Sequence, residues 1–209
     1  MSKGAGMVRA SWALVALITA CGSPSAAATP PEPLQAVPMA RVSLLSFMVG
    51  PSKPDGMVWD GPGGAISADD AAALTRALQA GTPAVVAASV FARPTIQALE
   101  KPEVQGRAAL FIRAAQIGSW QAFTGQRDAF NPQLMPPPTW FHVPLDGTAR
   151  IAVEAIDKDL SEDDPMGSFF IDPNAIQAAA DSPSSVYQSN VAYQTQRAVL
   201  FVEVNAIRE

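Results

Sequence analysis

Cysteine and histidine are almost absent from this 209-residue sequence, with one of each, Cys21 and His142. A lone Cys excludes an internal disulfide framework, and an unpaired thiol in an exported protein needs an explanation of its own. Nucleophilic catalysis finds little support either. There is no Gly-rich phosphate loop and no serine motif with a placed histidine. His142 falls inside the alternating run Trp140-Phe141-His142-Val143-Pro144, where a packed role is expected for it and not one as base or ligand. The chain is therefore expected not to be an enzyme. Positive charge is scarce as well: 14 Lys and Arg stand against 19 Asp and Glu, for a net charge of -5. Arg107, Arg113 and Arg127 are scattered, so neither nucleic acid nor a polybasic lipid face is expected.

What the sequence does have begins at the N-terminus. Lys3 and Arg9 precede the apolar run Ala10 to Ala20, which is too short to cross a bilayer as a helix and reads as a signal peptide over residues 1–20. Leu17-Ile18-Thr19-Ala20-Cys21 resembles a bacterial lipobox. That resemblance implies cleavage before Cys21 and lipidation of its thiol; the alternative is a plain secretory signal cut elsewhere. Removing Lys3 and Arg9 takes the net charge from -5 to -7. Residues 21–37, GSPSAAATPPEPLQAV after Cys21, are small and Pro-rich and read as a tether. Gly22 in place of Asp after the Cys implies, by the same resemblance, an outer-membrane lipoprotein of the bacterial cell envelope.

From residue 38 to 209 the pattern is mostly strands. Arg41 to Val49 is apolar and β-compatible, bounded by Gly50-Pro51. Ser67 reads as the N-cap of a helix that ends at Gly81, Pro83 to Pro94 is ambiguous, and a short helix is expected from Pro94 to Lys101. Strands are then expected over Gln105–Ile112, Trp120–Gln126, Thr139–Leu145, Ala149–Asp157 and Gly167–Ile171, with turns at Asn131-Pro132 and Asp146-Gly147. Asp172 reads as the cap of a helix from Pro173 to Ala180. The chain then closes with strands over Ser185–Thr195 and Ala198–Val204. The fold class expected is all-β, an eight-stranded antiparallel sandwich.

One stretch carries chemistry. Ile151, Val153 and Ala155 alternate with Arg150, Ala152, Glu154 and Ile156, and the strand runs into Asp157, Asp159, Glu162, Asp163 and Asp164, with Lys158 as the local cation. Like charges about 4 Å apart repel by roughly 4 kcal/mol at an effective dielectric near 20, and a hard cation relieves that. Calcium takes six to eight oxygens in flexible geometry and suits such a loop; simple solvation is the competing account. An EF-hand is excluded, because Glu162 stands where its Gly is needed and Ser168 where its bidentate Glu is needed.

These segments together resemble a C2 domain. Asn131-Pro132 with Trp140 to Pro144 is similar to one family segment, Ala155-Ile156-Asp157-Lys158-Asp159 through Asp164-Pro165-Met166-Gly167 to the third calcium loop, and Asp60-Gly61-Pro62-Gly63-Gly64 to the start of the first. The strand order resembles the circularly permuted, type II arrangement, with a helical insertion at about residues 61–101 in the first loop. The resemblance implies Ca²⁺ held by Asp60, Glu103, Asp157, Asp159 and Asp164, with Asp55 and Asp163 as further candidates. It also implies phospholipid headgroups or an acidic partner bound through the ion, with Met57, Val58, Trp59 and Met166 at the membrane. Ordinary core packing is the competing role for those four. A calcium-independent adaptor, docking onto another envelope protein through the insertion, is the second functional expectation.

Overall fold

Strict alternation fails in the first strand, and burial on both faces is why. β1, Met39–Val49, buries Ala40, Val42, Leu44, Phe47 and Val49, and buries Ser43 and Ser46 with them. A central strand has few positions left for water-facing side chains. The computed structural model describes residues 36–53, 59, 67–79, 84–127, 129–135, 141–159, 163–195 and 198–209. After β1 come α1 (Ala68–Gln79), α2 (Ala84–Phe91) and α3 (Pro94–Gln97). Then follow β2 (Val104–Ile112), β3 (Ala115–Gly125), β4 (Leu134–Met135), β5 (Phe141–Pro144), β6 (Ala149–Asp157) and β7 (Asp164–Ile171). The chain ends with α4 (Pro173–Asp181), β8 (Val186–Asn190), α5 (Ala192–Thr195) and β9 (Val199–Arg208).

The strands form two antiparallel sheets, β5-β1-β9-β8 and β4-β3-β2-β6-β7. Phe47 of β1 joins them: its ring meets Phe123 of β3 edge-on at 5.4 Å and Phe169 of β7 at 5.8 Å. Such edge-to-face pairs add to the area they bury. With the first and last strands side by side in the middle of one sheet, this is the C2-like sandwich in its type II arrangement that the sequence predicts. A ninth strand, β4, is two residues long. Its neighbourhood stitches the sheets together. Val49 and Phe47 donate their amides to Phe130 and Pro132 carbonyls at 2.8 and 3.2 Å, where β5 has already ended, while Leu134 and Met135 pair with β3.

The helical insertion is packed onto this frame. Phe91, Ile96 and Leu99 are buried, and the Phe91 ring lies 5.5 Å from Phe130. Ser67 caps α1 as expected: the Asp70 amide donates to its Oγ at 3.2 Å, and its hydroxyl donates to Asp70 Oδ2 at 2.8 Å. The ambiguous apolar run is helix α2, and α3 stops at Gln97, short of the expected Lys101. Gly81 lies outside the described residues.

Several local expectations need correction. β3 begins at Ala115, earlier than Trp120, because a tight turn at Arg113 (φ 49°) and Ala114 (φ 66°) closes its hairpin without Gly or Asn. β7 starts at Asp164, because Asp157 and Asp164 still pair across the hairpin. The strand expected over Ser185–Thr195 stops at Asn190, whose Oδ1 accepts the Ala192 amide at 3.0 Å and starts α5. Asp172 precedes α4 but does not cap it; its carboxylate accepts the Tyr193 hydroxyl at 3.1 Å. His142 is exposed, not packed, since Phe141 and Val143 take the inner face, and its Nδ1 lies 3.0 Å from Glu209 Oε2.

The edge of β7 is also covered. Gln194 uses its amide as a strand mimic, accepting the Phe170 amide at 2.7 Å and donating to the Phe170 carbonyl at 2.9 Å. Pairing an edge this way removes a template for aggregation.

The turn at 113–114 gives a direct test. A left-handed conformation costs an L-residue about 1 kcal/mol or more, and glycine escapes it. Ala114→Gly is expected to stabilise the protein by about 1 kcal/mol, net of glycine's greater unfolded entropy, in urea denaturation. Destabilisation would contradict the positive φ.

Candidate cation site

The site is built at the end of the β6–β7 hairpin. In its register Ala155 faces Gly167 and Ile156 faces Pro165, leaving Met166 as the extra residue of a bulge. Pro165 has no amide to offer the ladder, and Gly167 takes φ 124° with Thr195 Cβ 3.0 Å from where a Cβ would stand. Bulges re-aim side chains. Beyond this one, Asp157 and Asp164 are the last facing pair, and Asp159 sits two residues further along the loop.

Asp157 is buried, and its position is fixed from the neighbouring strand. The Glu103 amide donates to its Oδ1 at 2.6 Å, and the next amide, that of Lys158, donates to the Glu103 carbonyl at 2.9 Å. Carboxylate oxygens of Asp157, Asp159 and Asp164 all lie within 4.8 Å of one another. Lys53, in the segment after β1, reaches into the cluster. Its ammonium donates to Asp164 Oδ2 at 2.6 Å and stands 3.9 Å from Asp159 Oδ2. Its stem is largely covered, with the side chain 18% exposed. That segment is held in turn by the Trp59 indole, which donates to the Gly50 carbonyl at 2.8 Å, and by the Gly50 amide, which donates to the Ala198 carbonyl at 2.7 Å.

Among the predicted ligands, the structure brings Asp157, Asp159 and Asp164 together. Glu103 contributes its backbone, while its carboxylate lies 3.6 Å from Arg127 Nε. Asp163 accepts from the Lys158 ammonium at 2.6 Å. Neither is part of the three-carboxylate cluster. Asp55, Asp60, Met57, Val58 and Cys21 lie outside the described residues. The predicted membrane contacts Trp59 and Met166 are a correction: both are fully buried, one by its indole bond to Gly50 and the other by the bulge. Lys53 is the site residue that sequence reasoning missed. The sequence marks it only as a cation just after Pro51-Ser52, with nothing to tie it to Asp164, 111 residues away.

The donor set fits a hard divalent ion. Calcium binds oxygens at about 2.3–2.6 Å, so ligands on opposite sides of it are about 5 Å apart, comparable to the span of this cluster. Three carboxylates are fewer than the six to eight oxygens calcium takes, and the rest must come from carbonyls, second carboxylate oxygens or water.

No family model matches the sequence, and no curated protein matches it. Solved structures are similar to it at low identity. A C2 domain of plant extended synaptotagmin 1 is 10% identical over 84% of this chain and 98% of that one, with a TM-score of 0.39. A further C2 domain structure is 10% identical over 81% of this chain and 98% of its own, at 0.34. Human GIVD cytosolic phospholipase A2, in complex with methyl gamma-linolenyl fluorophosphonate and terbium chloride, is 11% identical over 84% of this chain but 18% of its own, at 0.39. The chain is a C2-like β-sandwich by its two sheets and their strand order.

Asp157 is expected to be structural as well as acidic. Asp157→Ala leaves the Glu103 amide without its acceptor and should cost about 1–3 kcal/mol in urea denaturation, whereas Asp157→Asn, which keeps an acceptor oxygen, should cost less. Equal losses in the two variants would remove Asp157 as the anchor of that amide.

Proposed function

We propose that this chain is a non-enzymatic, lipid-anchored protein of the bacterial cell envelope whose C2-like domain binds Ca²⁺ through Asp157, Asp159 and Asp164. Through the ion it engages a phospholipid headgroup or another acidic partner. The observation that supports the metal most is the convergence of three carboxylates within 4.8 Å at a hairpin end. Anchoring rests on the sequence around Cys21, and acyl chains at ~0.8 kcal/mol per buried CH₂ make such an attachment durable. Outer-membrane placement rests on Gly22.

A second reading draws on one contact. Lys53 already supplies a positive charge to the cluster, which favours a calcium-independent adaptor that docks onto an envelope protein through the helical insertion. Calorimetric titration of Ca²⁺ into the full chain and its Asp157→Asn variant separates the two. Heat with a Kd up to about 1 mM, the weak end for extracellular calcium modules, that vanishes in the variant supports the metal. No heat and no rise in melting temperature at 10 mM Ca²⁺, about tenfold above that limit, overturns it and leaves the adaptor.

A further inference from the structure

We propose that Lys53 is the built-in competitor of the cation site, so that a divalent ion binds only by displacing its ammonium; this rests on the calcium reading above. The ammonium comes from a different part of the chain than the carboxylates, the segment leaving β1, and is itself a cation seated at the cluster. It holds Asp164 Oδ2 at 2.6 Å and approaches Asp159 Oδ2 to 3.9 Å. A metal drawing on the same carboxylates meets that positive charge at contact range.

This is not a loose surface lysine. Pro51 and Ser52, immediately before it, are buried. The Ser52 hydroxyl is hydrogen-bonded to the Thr75 hydroxyl of α1 at 3.0 Å, within the protein. The backbone at the root of Lys53 is therefore fixed, and the four-carbon stem supplies the movement. That stem is flexible and carries its charge at a point, so it can leave without the backbone shifting.

The charge balance sets the selectivity. Asp157, Asp159 and Asp164 together carry three negative charges when ionised, and the ammonium cancels one. A monovalent ion would only replace one positive charge by another, while a divalent ion adds a charge and more ligand contacts. Apparent affinity falls by the fraction of molecules in which Lys53 has withdrawn. The device raises the threshold for occupancy and favours high divalent concentration.

The test is calorimetric titration of CaCl₂ into the full chain, as wild type, Lys53→Met and Lys53→Arg. Met keeps an apolar stem of similar length and removes the charge. The expected result is a Kd at least about tenfold lower in Lys53→Met, with Lys53→Arg near wild type. Equal or weaker binding in Lys53→Met overturns displacement and leaves the calcium reading intact; no heat in any of the three overturns both. A measurement on unaltered protein guards against a misfolded variant. Acetylation of Lys53, followed by mass spectrometry with the other lysines as reference, should accelerate severalfold in saturating Ca²⁺. An unchanged rate overturns the proposal.

Discussion

Mutual repulsion among three carboxylates is the constraint that the functional end of this molecule is organised around. Left to solvent, Asp157, Asp159 and Asp164 would separate, since each contact between like charges is unfavourable by several kcal/mol in a half-buried setting. The fold prevents that by pinning one of them. Asp157 is the last residue of β6, buried, with its Oδ1 held by the Glu103 amide. Hairpin register then sets Asp164 directly across from it, and the loop returns Asp159 to the same spot. Lys53 supplies the compensating charge from the other loop.

Each of these fixings depends on the sandwich behind it. Glu103 is in place because β2 pairs with β6 from Val104↔Asp157 through Ile112↔Ala149 without a break. Lys53 is in place because β1 ends at Val49 between β9 and the Phe130–Gln133 segment, with Trp59 closing over Gly50. The insertion also has a structural share in the site. Its α1 reaches Ser52 through Thr75, one residue from the lysine, so a helical segment that looks like decoration in sequence touches the root of the competing cation.

The sheets were legible in the sequence because burial leaves a strong mark there. Arg41 to Val49 reads as a central strand for the same reason that it is one, since few positions in it can be left to water. Asp146-Gly147 announces its turn chemically: the Thr148 hydroxyl and amide both donate to Asp146 Oδ1, which holds that carboxyl below its usual range. Arg113-Ala114 announces nothing, because a tertiary frame can force two ordinary residues to positive φ, and so the expected start of β3 falls five residues late, at Trp120 and not Ala115. At the site, Asp157, Asp159 and Asp164 of the acidic run lie together, while Asp163 turns to Lys158. The sequence could not show that Lys53 crosses from another loop, nor that a bulge after Ala155 turns Met166 inward. Contacts between segments over a hundred residues apart leave no local signature.

Burial of Trp59 and Met166 bears on how such a domain would meet a membrane. Insertion of apolar loop tips is one way to hold a lipid surface, and these two side chains are spent on the core. On the proposed reading the anchor at Cys21 makes insertion unnecessary. On that reading, a tether of the length expected for residues 21–37 would reach about 20 Å on average as a flexible chain and about 50 Å in extended polyproline form. Such a tether would present the domain to nearby headgroups at an effective concentration of order millimolar. Under that condition a contact too weak to capture a free protein is enough to orient an anchored one. The cation site then needs selectivity for a divalent ion more than it needs affinity, and a resident lysine that must first be displaced trades affinity for that selectivity.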